Sequence, residues 1–180
     1  YIDLVRDIHF VAAFVFCASF VLRIYGFIIN RGDRLFPRFW KGYFYAQTLD
    51  VIKHYMLVQP NHQSFLRNPL ARMSYLMLYG LVAVEICTGF AMYYMTEPES
   101  YVARAFAWVN VVCGNEMVTH LVHHYVAWGI ILFAIGHLYM VIRSEFVEGE
   151  SEVSSMFSGR KFLVHYAADA GAVAPDAEKA

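Results

Sequence analysis

The pattern of apolar residues along the chain predicts an all-α membrane protein. Three long apolar stretches occupy residues 8–29, 73–94 and 119–142, and each is 22 to 24 residues long. A helix needs about 20 predominantly apolar residues to cross the hydrocarbon core of a bilayer. We therefore predict an integral membrane helical bundle to which this chain contributes three transmembrane helices.

The segment between the first two spans predicts a fourth helix, lying along the membrane surface. Residues 43–57 have an amphipathic pattern, with Lys53 and His54 on the side that faces water. This helix and the spans form one predicted transmembrane domain, residues 1–163. Residues 164–180 are rich in alanine and have little apolar surface to bury, so we predict a mobile tail there.

Composition supports a membrane location and argues against binding to nucleic acid. Hydrophobic residues make up 59% of the 180 residues and charged residues 16%, whereas a soluble domain carries about 25% charged residues. The net charge of −1 offers no basic surface for nucleic acid. The length is sufficient for one helical bundle and leaves no room for a second domain.

The distribution of basic residues predicts the orientation of the spans. Seven lysines and arginines lie in the 30–72 segment, whereas the predicted loop over residues 95–118 has one, Arg104. Short loops rich in lysine and arginine stay in the cytoplasm. We therefore predict a multi-pass protein of the bacterial inner membrane, with Tyr1 and the 95–118 loop on the periplasmic side and the C-terminus in the cytoplasm.

Two histidines of the third span lie on one face of the predicted helix. His123 and His137 are fourteen residues apart, so their directions differ by about 40° and their heights by about 21 Å. Their neighbours His120 and His124 point to other sides of the helix. A single histidine in a membrane can be a hydrogen-bonded packing residue, but two in register at opposite membrane faces favour two metal ligands.

The first span supplies a partner for one of these histidines. The first and third spans run in the same direction, and both His9 and His123 lie near an outer end. We predict that His9 and His123 bind one cofactor between them at the outer leaflet. His137, near the inner leaflet, has no such partner within this chain.

Two charged residues inside the predicted spans each allow two interpretations. Arg23 lies fourteen residues after His9 and on the same face. It either extends to the membrane interface or forms a salt bridge with an acidic group of an inner cofactor. Glu85, in the middle of the second span, either has a functional role or is protonated and hydrogen-bonded to a neighbouring helix.

The cofactor that best suits paired histidines here is non-covalent haem b. The sequence contains no C-x-x-C-H motif for covalent haem attachment, and Cys17, Cys87 and Cys113 are too far apart for an iron–sulfur or zinc pattern. Two axial histidines leave the iron no open position for a substrate. We therefore expect a non-catalytic, electron-transferring subunit of an oxidoreductase complex.

Several motifs together resemble the b-type cytochrome subunit of membrane-bound nickel–iron (NiFe) hydrogenases, which is related to the cytochrome b subunit of formate dehydrogenase. The likeness extends over nearly the whole chain and rests on the order and spacing of the motifs. They are HLVHHYVAW at 120–128, GHLYMVIR at 136–143, RDIHF at 6–10, LRIY at 22–25, NPLA at 68–71, TGFA at 88–91, GN at 114–115 and SG at 158–159.

The resemblance implies a four-span, di-haem cytochrome that passes electrons from hydrogen oxidation to the quinone pool. By this resemblance His9 and His123 bind the haem nearer the hydrogenase. His137 binds a second haem together with a histidine expected on a further span upstream of Tyr1. The implied partners are the hydrogenase small subunit, the large subunit bound through it, quinone and the lipid bilayer.

Two alternative functions remain open at this stage. The cytochrome subunits of formate dehydrogenase and thiosulfate reductase share the same plan, and only the soluble partner distinguishes them. A transporter or assembly scaffold would instead use the histidines as proton or metal sites and would carry no haem. The presence or absence of a visible chromophore separates these two classes.

Overall fold

The computed structural model describes residues 1–29, 42–56, 69–147 and 152–159, and within these ranges the regular structure is helical, with no β-strand. The predicted all-α class is confirmed. The predicted tail, residues 164–180, lies outside the described residues. In chain order the α-helices are α1 (Ile2–Ile29), α2 (Gly42–Tyr55), α3 (Pro69–Tyr93), α4 (Tyr101–Cys113), α5 (Glu116–Phe146) and α6 (Glu152–Ser158).

Three of these helices are long and apolar enough to cross a membrane, as predicted. They are α1, α5, and α3 together with the 3-10 turn Tyr94–Thr96 that continues it. Each helix extends beyond the apolar stretch that predicted it. The extra residues are the more polar ends of each helix, which apolar length alone does not mark.

The chain divides into two units, Tyr1–Phe36 and Pro37–Ala180. The helix of the first unit, α1, has no buried residue. Large apolar side chains along it, such as Val11, Val15 and Val21, are all more than half exposed. A single helix cannot bury its own side chains, so this apolar surface is suited to contact with lipid or with other helices.

In the second unit α3 packs against both α5 and α4, α4 also contacts α5, and α2 contacts α3. The Phe90 ring of α3 stacks on the Phe106 ring of α4 with 5.2 Å between centroids. Val82, Ala91 and Val109 are among the few buried apolar residues. This packing joins α3 and α5 side by side, and it brings side chains of the two helices into contact.

The prediction of a loop over residues 95–118 was wrong, because this segment contains α4. The Ser100 side chain accepts a hydrogen bond from the second residue of α4, which caps its N-terminus. Gly114, at φ 93°, ends the helix, and Asn115 caps α5 by accepting a hydrogen bond from Val118. At 13 residues α4 is too short to cross a membrane, so apolar length does not distinguish it from a loop.

The helix predicted over 43–57 is present as α2, although residue 57 lies outside the described residues. Its position along the membrane surface stays a prediction. Lys53 is exposed, as predicted. His54 is not on the water-facing side, because it is only 4% exposed and its Nε2 lies 3.4 Å from Arg143 Nη2 of α5. The amphipathic pattern of α2 does not reveal that the end of α5 covers part of its polar side.

Candidate functional site

The contact between α3 and α5 centres on His123. Its side chain is 17% exposed and lies against the backbone of Gly89 in α3. A Cβ atom built on Gly89 would be 3.3 Å from His123 Cε1, which is closer than an ordinary van der Waals contact. The glycine therefore provides the space that lets this imidazole approach α3.

Thr88 contacts the first of the two ring nitrogens of His123. The Thr88 Oγ1 atom lies 2.9 Å from His123 Nδ1. The same hydroxyl donates to the Val84 carbonyl at 2.8 Å and lies 3.1 Å from the Glu85 carbonyl. Because the only hydroxyl hydrogen is directed to carbonyls of its own helix, the oxygen accepts from Nδ1–H. In a neutral imidazole this leaves Nε2 with its lone pair available.

Glu85 contacts the second ring nitrogen. Its Oε1 lies 3.0 Å from His123 Nε2, and its side chain is 17% exposed. Its other oxygen, Oε2, is buried and has no hydrogen-bond partner among the described residues. Of the two interpretations for Glu85, the hydrogen bond to a neighbouring helix is therefore present. This bond requires one proton shared between Oε1 and Nε2.

The other two histidines at this end of α5 point elsewhere, as the helical spacing predicted. His124 is exposed, and its Nε2 accepts a hydrogen bond from Trp128 Nε1 at 3.2 Å, one turn along the same helix. His120 is also exposed. Of the histidines at this end of α5, His123 is the one that faces α3 at the Thr88 and Glu85 contacts.

His137 lies on the same continuous helix as His123, because α5 runs unbroken through both. Its side chain is exposed and its ring stacks on Phe133 with 6.1 Å between centroids and 5° between planes. The predicted spacing of fourteen residues on one helix is thus present. An exposed imidazole at this position is accessible to a cofactor or a further helix, but nothing in the described residues tests its role as a ligand.

His9 and Arg23 both lie on α1, in the first unit of the chain, and both are exposed. The His9 ring meets Phe10 edge-on at 5.9 Å. The pairing of His9 with His123 joins two separate units, so it stays a prediction. The two interpretations of Arg23 likewise stay open.

The donor set around His123 suits a metal held mainly by another molecule. Among the described residues, no group of three or more His, Cys, Asp and Glu side chains could hold a metal ion. A bare zinc ion normally needs three or four protein donors. Iron in a porphyrin needs only one or two axial donors, because the macrocycle supplies the rest. A neutral imidazole that carries its proton on Nδ1 and its lone pair on Nε2 is such a donor.

Thr88 and Gly89 are the residues of this site that the sequence did not single out for a role. The sequence shows a threonine and a glycine next to each other in an apolar span, three and four residues after Glu85. This spacing places Glu85 and Thr88 on neighbouring positions of one helix face. The signal was therefore present, but their contact with His123 depends on the register between two helices.

The sequence matches the family model described as prokaryotic cytochrome b561 over residues 1–159. No solved structure matches the chain. The family match covers all the described helices, including the segment from Glu85 to Gly89 and both histidines of α5.

Curated relatives are consistent with this match. A protein of Cupriavidus necator is 33% identical over 86% of this chain and 66% of its own length. An Escherichia coli K12 protein is 30% identical over 88% of this chain and 71% of its own, and one from Rhizobium leguminosarum is 28% identical, covering 88% and 69%. All three are named as probable Ni/Fe-hydrogenase B-type cytochrome subunits, and the chain spans about two thirds of the length of each.

Proposed function

Because this chain belongs to the prokaryotic cytochrome b561 family, we propose that it is the haem b subunit of a hydrogenase complex in the bacterial inner membrane. In this role it anchors the hydrogenase small subunit, and the large subunit through it, and passes electrons to quinone. The names of its relatives support the choice of partner. The single observation that carries a haem role is the Thr88 contact, which holds the proton of a neutral His123 imidazole on Nδ1 and so keeps the lone pair on Nε2.

His123 and His9 are the residues that would hold the outer haem in this proposal. A bound haem b supplies a reversible one-electron carrier. The two imidazoles would both bind the iron, which would leave it no open position for oxygen or substrate. Gly89 provides clearance for His123, and Thr88 holds its ring. The Glu85 carboxyl lies where Nε2 would meet iron, so it has to rotate away for the ligand to bind.

His137 and Arg23 belong to the proposed inner site. His137 lies about 21 Å along α5 from His123, so a hydrocarbon layer about 30 Å thick would have one of the two histidines near each face. Its second ligand would be a further histidine, as the resemblance to the hydrogenase cytochromes implies. Arg23, fourteen residues past His9 on α1, would pair with an acidic group of that haem. Electrons would then pass from the outer site to the inner site and on to the quinone pool.

Reduction by hydrogen tests the proposed function directly. Membranes containing the complete protein with its co-expressed hydrogenase should show a b-type haem spectrum that becomes reduced under hydrogen. The tagged chain should copurify the small and large subunits. Formate added instead of hydrogen is the control for a formate dehydrogenase cytochrome. Thiosulfate added to membranes that are already reduced, where it would accept electrons and reoxidise the haem, is the control for a thiosulfate reductase cytochrome. A purified protein with no chromophore would overturn the haem role and leave the transporter or scaffold interpretation.

The proposed orientation can be tested by cysteine labelling. In a background in which Cys17, Cys87 and Cys113 are replaced by serine, we expect Glu99→Cys to react with a membrane-impermeant maleimide when the inner membrane is intact. Glu99 is exposed just before α4. Asn61→Cys, in the basic segment outside the described residues, should react only after permeabilisation. The reverse pattern would place His9 and His123 on the cytoplasmic side.

A further inference from the structure

Thr88 makes more contacts than a hydroxyl in an apolar helix normally needs. It is only 2% exposed, and its oxygen engages three groups: two carbonyls of α3 and Nδ1 of His123. Serines elsewhere in the spans behave more simply. Ser19 donates to the Val15 carbonyl at 2.9 Å, and Ser74 to the Leu70 carbonyl at 2.8 Å. In both, the hydroxyl satisfies itself within its own helix.

We propose that Thr88 is a positioning residue for iron ligation, one that fixes the tautomer and the ring orientation of His123. This proposal rests on the proposed function, because it presumes that His123 binds haem. The hydroxyl hydrogen is committed to α3, so the oxygen can only accept at Nδ1. The proton of a neutral imidazole is thereby held on Nδ1, and the lone pair is held on Nε2.

Two features strengthen the effect of Thr88 on the tautomer and orientation of His123. The Thr88 side chain is nearly fully buried, so water does not compete for Nδ1. Gly89, the next residue, allows the ring to lie against α3 without steric conflict. One residue thus supplies the hydrogen bond and its neighbour supplies the space, which fixes both the direction and the distance of the imidazole.

The expected chemical effect is on the electronic properties of the bound iron. In a metal-bound histidine, the ring N–H that does not bind the metal can donate a hydrogen bond to an acceptor. This bond makes the imidazole a stronger electron donor to the metal, and its loss typically lowers metal affinity 10–100-fold. A stronger donor favours ferric over ferrous iron. Removing the Thr88 hydroxyl should therefore weaken haem binding and raise the midpoint potential of the outer haem.

The test compares Thr88→Val, which keeps the shape and loses the hydroxyl, with Thr88→Ser, which keeps the hydroxyl. Both are made in the complete protein within the hydrogenase complex. We expect Thr88→Val to lower the haem content of the outer site or to raise its midpoint potential in a redox titration. A tenfold loss of affinity confined to the ferric form corresponds to 59 mV. Thr88→Ser should behave as wild type.

Ser74→Ala is the matched control, because it removes a comparable hydroxyl-to-carbonyl bond from the same helix away from His123. It should change neither haem content nor potential. Thr88→Ala is a second hydroxyl-free variant should the valine protein fail to accumulate. A wild-type potential and full haem content in both hydroxyl-free variants, or an equal shift in Ser74→Ala, would overturn the role of Thr88. A wild-type protein that binds no haem would instead overturn the proposed function, and this inference with it.

Discussion

Replacing His123 by alanine will remove one haem per chain, whereas replacing its neighbour His124 will remove none. His123 faces α3, where Thr88 holds Nδ1 and leaves Nε2 available. His124 is exposed on another side of α5 and bonds to Trp128. The other nearby histidine, His120, is also exposed. Alanine at position 123 therefore leaves this end of α5 without a histidine nitrogen directed at α3.

The matched pair of variants separates ligand loss from a general effect on the helix. Both substitutions remove an imidazole from adjacent positions, and both introduce the residue with the highest helix propensity. Haem content per chain and the reduced spectrum are measured on complexes purified in parallel. Electron transfer from hydrogen to quinone should fall to background in His123→Ala, while transfer from hydrogen to a soluble dye survives. Equal haem loss in the two variants would contradict the assignment of His123.

A second large effect is expected at Gly89, where leucine should abolish binding of the outer haem. A Cβ atom built on Gly89 would lie 3.3 Å from His123 Cε1, so the much larger leucine side chain must push the imidazole away from α3. This displacement also breaks the Thr88 contact. Alanine should have a smaller effect, since a shift of a few tenths of an ångström relieves its contact.

Gly80→Leu is the control for the leucine variant. Gly80 lies on the same helix, and a Cβ atom built there meets nothing within 4 Å. Both substitutions replace a helical glycine and gain about 1 kcal/mol in helix propensity. A difference in haem content between the two variants therefore does not come from helix propensity. Haem content is measured together with the amount of folded protein in detergent. If Gly80→Leu lost as much haem as Gly89→Leu, the steric explanation would be wrong.

The transmembrane helices and the direction of His123 could be predicted because each depends on one segment alone. Apolar length marks α1, α3 and α5, and the helical period of 3.6 residues separates His123 from His124. The same reasoning failed at His54, because the end of α5 covers part of α2. Helix α4 was not predicted either, because its 13 residues are too few for an apolar stretch of membrane-spanning length.

The contacts of His123 could not be predicted, because they depend on how two helices are aligned. If the residue of α3 that faces His123 were one position earlier or later in the sequence, Thr88 and Glu85 would point about 100° away from the imidazole. Sequence periodicity specifies which face of a helix is apolar, but it does not fix this alignment. The pairing of His9 with His123 is harder still, since α1 forms a unit of its own, and it stays a prediction.

The hydrogen bond between Glu85 and His123 has a consequence for biogenesis. The ligand nitrogen already has a partner 3.0 Å away, so insertion of haem is a substitution reaction: one bond to Nε2 breaks as another forms. The displaced carboxyl must find a new partner in a dry interior, where an unsatisfied polar group costs about 1–3 kcal/mol. We therefore expect haem uptake to be slower, and haem binding to be weaker, than at an imidazole whose Nε2 has no such partner. Glu85→Leu should accelerate haem uptake in a time course.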